Sequence, residues 1–252
     1  MKILKAMVIA FSIYSKIPVP QFEWKEEDME YMMCFFPWIG GVIGLAFFGW
    51  TVLCEKFAVG TLCYALIAAA IPLIISGGFH VDGYMDTMDA LHSYQSREKK
   101  LEILKDSHIG AFAAIMLVLY YLIDIAAISE IHTRKAVFAV AAVFFLARCL
   151  SGIAVVTLQP AKKEGLLYTF ASGAQKEKVK IGLYLQLILC MALMIIISKE
   201  YGVAAIIASL LSFLYFKKKS FKEFGGITGD TAGFFVTVCE AAAAVAVAIA
   251  GA

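Results

Sequence analysis

The sequence predicts an all-α fold, a polytopic integral membrane bundle of about seven transmembrane helices preceded by an N-terminal interfacial helix. Of the 252 residues, 62% are hydrophobic and 17% are charged, and the mean hydropathy is +0.82. A typical soluble domain has about 45–50% apolar and about 25% charged residues, so one soluble core could not enclose this much apolar surface. The long apolar runs lack the alternation of a β-barrel, which leaves helices as the spanning elements.

The N-terminal segment is predicted to be a retained helix at the membrane interface. Residues 1–20, MKILKAMVIAFSIYSKIPVP, combine two early lysines with a short apolar stretch and lead into Pro18 and Pro20. The segment has no small-residue cleavage site of the kind that ends a signal peptide. A short apolar helix with a basic flank suits the surface of a bilayer.

Seven apolar runs reach or approach the roughly 20 residues that a transmembrane helix needs. The predicted spans are residues 31–54, 57–79, 109–129, 136–158, 181–198, 201–216 and 231–252. Three of these runs contain one ionisable residue each, namely Asp124, Arg148 and Glu240.

The distribution of lysine and arginine predicts the orientation of the chain. Of the 22 basic residues, 17 fall in one set of alternate connections, four fall in the other set, and Arg148 lies within a span. Because basic residues concentrate in cytoplasmic connections, the N-terminus is expected in the cytoplasm and the C-terminus outside. We therefore expect a single catalytic domain, 1–252, in the cell (inner) membrane, with cytoplasmic active-site segments at 80–110 and 217–233.

The sequence supports neither nucleic-acid binding nor a metal site built from cysteines. The net charge is only +2, and no basic stripe with interleaved aromatic residues is present, so a nucleic-acid partner is not expected. The six cysteines lie in apolar runs without metal-type spacing, which predicts buried apolar roles for them.

The strongest chemical signal is a set of aspartates in the polar stretch 80–110. Asp82, Asp86 and Asp89 are spaced i, i+4 and i+7, so they share one stripe if the segment is helical. Like charges on one stripe repel, and a cation there would relieve the repulsion. Oxygen ligands favour Mg²⁺ over Zn²⁺, which predicts a magnesium site completed by substrate phosphates. His80 is interpreted as a hydrogen-bonding neighbour of this site.

Two further polar elements are predicted on the same side of the membrane. Lys105 and Asp106 lie just before the third span, and the glycine-rich segment 224–233, FGGITGDTAG, lies just before the last. Glycines allow the backbone to approach a ligand closely, and a helix N-terminus favours an anion, so a phosphate could bind here. Asp230 is either a member of this site or an N-terminal cap of the helix.

Arg148 lies within a predicted span, where an unpaired charge is costly. Its guanidinium could hold a phosphate through two parallel hydrogen bonds. The alternative is a structural ion pair, for which Asp124 on the preceding span is the expected partner.

These motifs resemble the cobalamin 5'-phosphate synthase family. The resemblance rests on GGFHVDGYMDTMDALHSYQSREKKLEILKDSHIGAFA, on GGITGDTAG near the C-terminus and on IPVP near the N-terminus, in order and over nearly the whole chain. Membership would imply a Mg²⁺-dependent membrane enzyme that joins adenosylcobinamide-GDP to α-ribazole or its 5'-phosphate and releases GMP. Whether the acceptor carries a phosphate, and whether the enzyme is a homo-oligomer, stays open.

The resemblance also implies roles for individual residues. The acidic motif of the family falls on Asp82, Asp86 and Asp89, its KDS element on Lys105, Asp106 and Ser107, and its glycine-aspartate element on Gly229 and Asp230. The aspartates are the expected catalytic residues, and the first three are the expected metal ligands. The expected substrate-binding residues are His80, Lys105, Ser107, Arg148, Thr228 and Gly229. The chain departs from the family pattern at His108, where arginine is common, and at Ala90, where glycine is common.

Three other functions remain as alternatives at this point. A CDP-alcohol phosphotransferase or a prenyltransferase would also hold Mg²⁺ and diphosphate with helical carboxylates. The first would need a lipid alcohol acceptor and its own spaced Asp-Gly and Ala-Arg pattern, which is not found as such. The second usually repeats its acidic motif, whereas the second acidic element here is the single Asp230. A cation-coupled transporter would place its acids near the bilayer midplane, where only Asp124 and Glu240 are expected.

Overall fold

The computed structural model describes residues 2–163, 166–172 and 175–252, and eleven α-helices form this part of the chain. The helices are α1 (Lys2–Tyr14), α2 (Phe36–Phe57), α3 (Thr61–Ser76), α4 (Phe79–His92), α5 (Arg97–Ile103), α6 (Ala111–Ser129), α7 (Arg134–Thr157), α8 (Leu166–Ser172), α9 (Lys176–Ser198), α10 (Glu200–Phe224) and α11 (Gly229–Gly251). Two short 3₁₀ helices, Glu26–Met29 and Met32–Cys34, precede α2. The predicted all-α fold is confirmed.

Among the described residues, six helices are long and apolar enough to cross a membrane: α2, α6, α7, α9, α10 and α11. The helices α3 and α4 meet the same criterion only as a pair, and they are bent by 97° relative to each other. The bend lies at Gly77 and Gly78, whose φ angles of +68° and +84° are open to glycine without strain. The prediction of about seven spans is confirmed if this bent pair is one span.

The polar stretch 80–110 differs from a simple connection between spans. Most of this stretch is helical, because it contains α4 and α5. Helix α4 follows the double-glycine bend directly, and the side chain of Ser96 caps α5 by accepting a hydrogen bond from the Lys99 amide. The second predicted active-site segment, 217–233, is likewise mostly helical. Helix α10 continues through its lysines to Phe224, so the connection to α11 is only residues 225–228.

Helix α7 forms the centre of the bundle, packed against α2, α9, α10 and α11. Gly40 and Gly44 of α2 lie against the α7 carbonyls of Phe144 and Ala141, so closely that a Cβ at either glycine would collide with backbone. Small residues four apart allow such close approach between membrane helices, where hydrophobic driving force between helices is weak.

One end of the bundle, here called the site end, gathers segments that the basic residues predict to share a side. The Lys16 amide donates to the Ile75 carbonyl at 2.8 Å, and the Ala161 amide donates to the Ile227 carbonyl at 2.8 Å. At the opposite end, an ion pair between Arg134 and Glu55 joins the start of α7 to the end of α2. For these segments, the grouping matches the alternation that the charge pattern predicts.

Helix α1 is confirmed as a helix and contacts the rest of the chain along one face. Ala6, Ile9 and Ala10 are fully buried, whereas Ile3 and Leu4 are about two-thirds exposed. Such a division suits a helix that lies between protein and lipid headgroups, and its position at the interface stays a prediction.

Candidate active site

The site end is organised around the crossing of α4 and α11. A Cβ on Gly83 would lie 2.8 Å from the Asp230 carbonyl oxygen, and a Cβ on Gly233 would lie 3.1 Å from the His80 carbonyl oxygen. Larger residues at either glycine would push the two helices apart. The two glycines therefore bring the aspartate-bearing helix α4 to the first turn of α11.

The crossing collects four carboxylates, which we call the acid cluster: Asp82, Asp86, Asp89 and Asp230. On α4 the first is exposed and the other two are half-buried. The charges of Asp82, Asp230 and Asp89 all act on Asp86. Like charges at this spacing destabilise one another, so the cluster favours a cation.

Asp89 is held against the start of α6. Its carboxylate occupies the space that a side chain at residue 110 would need, which explains why glycine precedes α6. Gly110 is the N-cap of α6, and no side chain caps this helix. The unpaired amides of the first helical turn carry partial positive charge, which favours a carboxylate there.

Asp230 is positioned by a capping box at the start of α11. The Thr228 hydroxyl accepts a hydrogen bond from the Thr231 amide at 3.1 Å, and the Thr231 hydroxyl accepts one from the Thr228 amide at 2.8 Å. The Thr228 hydroxyl also contacts Asp230 Oδ2 at 3.4 Å. Thr228 thus has a local structural role, and its predicted substrate contact stays a prediction.

The glycines of the loop 225–228 have structural roles, whereas the first glycine of α11 borders open space. Gly225 ends α10 with φ +79°, and a Cβ on Gly226 would meet the Gln159 carbonyl oxygen at 2.6 Å. Gly229 differs, because a Cβ there would have no neighbour within 4 Å among the described residues. The space beside Gly229 is therefore open to a ligand.

Sequence reasoning missed Lys162, which lies in the connection after α7. Its positive charge acts on Asp230, and its ammonium donates to the Leu101 carbonyl at 3.1 Å. The excess of lysines in this connection was visible, but nothing in their spacing singles out one that reaches α5 and α11.

His80 lies on the side of α4 that faces α11, away from the stripe of aspartates. It is 5% exposed, and neither ring nitrogen has a hydrogen-bond partner among the described residues. The ring borders a cavity of about 90 Å³, which Tyr14, Phe36 and Gly229 also line. This volume accommodates a few water molecules, which would supply the missing hydrogen bonds.

The KDS element lies in the exposed connection between α5 and α6. Lys105, Asp106 and Ser107 are all exposed. Hydrogen bonds with the side chain and backbone amide of His108 hold the pKa of Asp106 below its usual range. Asp106 is thus engaged locally with His108, and its predicted membership of the site stays a prediction.

Arg148 forms the structural ion pair, but the expected partner is wrong. Its Nη1 donates to Glu240 Oε1 at 2.7 Å and to the Phe144 carbonyl at 2.8 Å, and the side chain is 1% exposed. Asp124 instead lies beside Glu240, in the lining of the same small cavity. The sequence shows that Arg148 needs a partner, but α11 is remote in the chain and its position against α7 is a tertiary outcome.

The donor set of the acid cluster fits magnesium in chemistry. Within residues 2–163, 166–172 and 175–252, no three acidic, histidine or cysteine side chains converge as a preformed metal site. Mg²⁺ is commonly held by one or two carboxylates together with substrate phosphates and water, so it does not require a complete protein cage. Carboxylates alone, at helical spacing and near an open space, match that mode of binding.

Comparisons with known proteins identify the family of the chain. The profile of the cobalamin-5-phosphate synthase family matches residues 6–248. The chain belongs to the cobalamin-5-phosphate synthase family. An adenosylcobinamide-GDP ribazoletransferase of Lachnoclostridium phytofermentans is 45% identical over 250 residues, which cover 99% of this chain and 95% of the relative. The enzymes of the same name from Clostridium perfringens SM101 and Clostridium botulinum Alaska E43 are 30% and 32% identical over 239 residues, 94% of each chain.

No solved structure matches the chain. The cobalamin-5-phosphate synthase profile covers α4, the loop 225–228 and most of α11, so both halves of the acid cluster lie within the matched region.

Proposed function

We propose that the chain is a membrane transferase that joins adenosylcobinamide-GDP to α-ribazole or its 5'-phosphate, with release of GMP. Support comes from the family match over residues 6–248 and from relatives of this name that align along nearly their full length. The observation that carries the mechanism is the packing of Gly83 against Asp230, which joins the aspartates of α4 to the start of α11.

In this proposal, Asp82, Asp86 and Asp89 would hold Mg²⁺ when the diphosphate of the donor is bound. A bound magnesium ion would neutralise charge on the diphosphate and so support phosphoryl transfer. The oxygen-only donor set and the excess of negative charge at α4 support this assignment.

Asp230 is the carboxylate that we assign to the acceptor. In the reaction, the acceptor hydroxyl oxygen forms a bond to the phosphorus that carries cobinamide, the bond from that phosphorus to the GMP oxygen breaks, and GMP leaves. Asp230 would take the hydroxyl proton, because it lies beside the open space at Gly229 and is tied to the local scaffold through Thr228. Asp106 suits this role less, since it is exposed and bound to His108.

The site end is proposed to face the cytoplasm, with the C-terminus outside and the chain in the cell membrane. The excess of lysine and arginine in the connections of that end supports this orientation. A cysteine introduced by Gln95→Cys, with exposed Cys63 replaced by serine, would be labelled by impermeant maleimide only in inside-out vesicles.

The proposed reaction is tested with purified protein in lipid, supplied with Mg²⁺, adenosylcobinamide-GDP and α-ribazole. We expect GMP release that depends on all three components. Replacement of α-ribazole by its 5'-phosphate measures which acceptor is preferred. Absence of GMP release, together with turnover of a CDP-alcohol donor, would contradict the proposal and favour a CDP-alcohol phosphotransferase.

A further inference from the structure

A groove of about 490 Å³ opens beside Asp82 of α4. Its lining comes from the end of α1, the double-glycine bend and α6, and Phe79 lies between the groove and the cavity because it lines both. Ser15, Lys16 and Ser76 form a polar part, whereas α6 contributes Leu117 and Tyr121. The groove is five times larger than the cavity at His80 and has a carboxylate of the acid cluster on its wall.

Lys16 is fixed at this groove by two independent contacts. Its backbone amide donates to the Ile75 carbonyl at 2.8 Å, which ties the chain after α1 to the end of α3. Its aliphatic stem then lies across Gly77, in the space that a Cβ would need. Glycine at this position therefore serves both the positive φ of the bend and the packing of the lysine.

The ammonium of Lys16 differs from those of Lys5 and Lys100. Lys5 pairs with Asp28 at 3.1 Å, and Lys100 pairs with Glu223. Within the described part of the chain, Lys16 lines the groove and its ammonium has no hydrogen bond or ion pair. A lysine held at the stem, with a charged end available, is suited to a phosphate oxygen.

We infer that this groove binds the diphosphate ester of the donor, with Lys16 as a phosphate-binding residue opposite the metal-binding wall at Asp82. The inference rests on the proposed function and assigns this groove to the donor rather than to the acceptor. The carboxylates would hold a cation that neutralises the diphosphate, whereas the lysine would contact a phosphate oxygen directly. The apolar wall formed by α6 would contact organic parts of the same donor.

A phospholipid also combines a phosphate ester, in its headgroup, with an apolar portion. The two sources are distinguished by measuring donor affinity in nanodiscs of phosphatidylcholine alone and in nanodiscs that also contain phosphatidylglycerol. If Lys16 binds the donor, the effect of its substitution on donor affinity is the same in both membranes.

The test compares Lys16→Gln and Lys16→Arg with the wild-type protein in nanodiscs. A charge-assisted hydrogen bond contributes enough that its loss should raise the donor Kd and KM by about 10- to 100-fold. The KM for α-ribazole should stay unchanged, and Lys16→Arg should restore donor affinity to within about threefold, since it keeps the charge. Binding of adenosylcobinamide-GDP without acceptor supplies a readout besides turnover.

Gly77→Ala provides a second variant, because a methyl group there collides with the Lys16 stem and strains the backbone at φ +68°. It should weaken donor binding in the same direction. Gly60→Ala is its control, with no neighbour within 4 Å of the added Cβ among described residues. Lys135→Gln, at an exposed position on the opposite end of the bundle, is the control for the loss of a lysine.

Each outcome separates the inference from the function on which it rests. Failure of the wild-type protein to bind donor or release GMP would overturn both. Wild-type activity together with normal donor affinity in a folded Lys16→Gln protein would overturn the inference alone. A Lys16→Gln effect that appears only as altered dependence on phosphatidylglycerol would also overturn it, in favour of a lipid headgroup.

Discussion

The middle of the bundle and its site end treat charge in opposite ways. In the middle, Arg148 and Glu240 form a closed ion pair in which opposite charges meet at 2.7 Å. At the site end, Asp82, Asp86 and Asp89 bring like charges onto one helix. The first arrangement satisfies its own charges and so holds helices together. The second needs a cation from outside, which is the property expected of a site that binds metal and diphosphate.

The largest effect on stability is expected when the ion pair between Arg148 and Glu240 is broken. Glu240→Gln leaves the buried guanidinium of Arg148 without a counter-charge, which should lower the free energy of unfolding by about 3–5 kcal/mol. Chemical denaturation in detergent measures the change. Turnover per folded molecule should fall by less than about threefold, since neither residue contacts substrate in this account.

Replacement of both members of the ion pair tests whether the loss of stability comes from an unpaired charge. Arg148→Met combined with Glu240→Leu removes both charges, so stability should recover relative to Glu240→Gln. Loss of turnover in a stable, folded double variant would show instead that Arg148 binds phosphate.

Asp86→Asn is the opposite experiment at the site end. It removes one charge from the acid cluster while keeping the shape of the side chain, so kcat/KM should fall by about 10²- to 10³-fold, the scale of losing one group that stabilises transition-state charge. Stability should stay constant or rise, because repulsion from Asp82 and Asp89 is relieved. Glu98→Gln, at an exposed position on α5, is the control. Activity of Asp86→Asn close to that of the control would remove Asp86 from the mechanism.

Variants of Gly83, at the α4–α11 crossing, and of Gly229, at the start of α11, test helix packing and ligand space separately. Gly83→Ala places a methyl group against the Asp230 backbone and should lower the free energy of unfolding by about 1–3 kcal/mol. Gly229→Ala meets no protein atom within 4 Å in the described chain, so its thermal midpoint should not change. Its activity should nevertheless fall, if substrate uses the open space. Thermal denaturation and GMP release measured on both variants check this, and a fully active Gly229→Ala would place the acceptor elsewhere.

The smallest expected effect concerns Asp106, which lies in the exposed connection after α5. Its pKa is lowered in the folded chain by hydrogen bonds with His108, so this carboxylate stabilises the fold above its unfolded pKa of about 3.9. That contribution is lost as the pH falls through the lower, folded value. His108→Ala should raise the pKa of Asp106 toward about 3.9, as measured by ¹³C NMR titration of labelled aspartate. An unchanged titration curve would show that the hydrogen bonds do not form in solution.

Local patterns in the sequence predicted most of the helices and the stripe of aspartates. Apolar runs of about 20 residues identify spans because the bilayer sets their length. The i, i+4 and i+7 spacing of Asp82, Asp86 and Asp89 placed them on one stripe, since α4 is indeed helical.

Contacts between distant segments could not be predicted in this way. The pairing of Arg148 with Glu240 depends on how α11 packs against α7, whereas the sequence alone made Asp124 on the preceding span the expected partner. The close approach of Gly83 to Asp230 is likewise a tertiary contact between residues far apart in the chain. Lys16 was visible only as one basic residue among many, because its role depends on the bend at Gly77.

The proposed mechanism depends on binding of a divalent cation and the donor diphosphate at the acid cluster. Electron paramagnetic resonance of Mn²⁺, used as a substitute for Mg²⁺, measures this binding directly in wild-type and Asp86→Asn protein, with and without adenosylcobinamide-GDP. We expect the donor to increase Mn²⁺ affinity in the wild-type protein, and we expect Asp86→Asn to weaken Mn²⁺ binding at least tenfold while the protein stays folded. Equal Mn²⁺ binding by the two proteins in the presence of donor would contradict it.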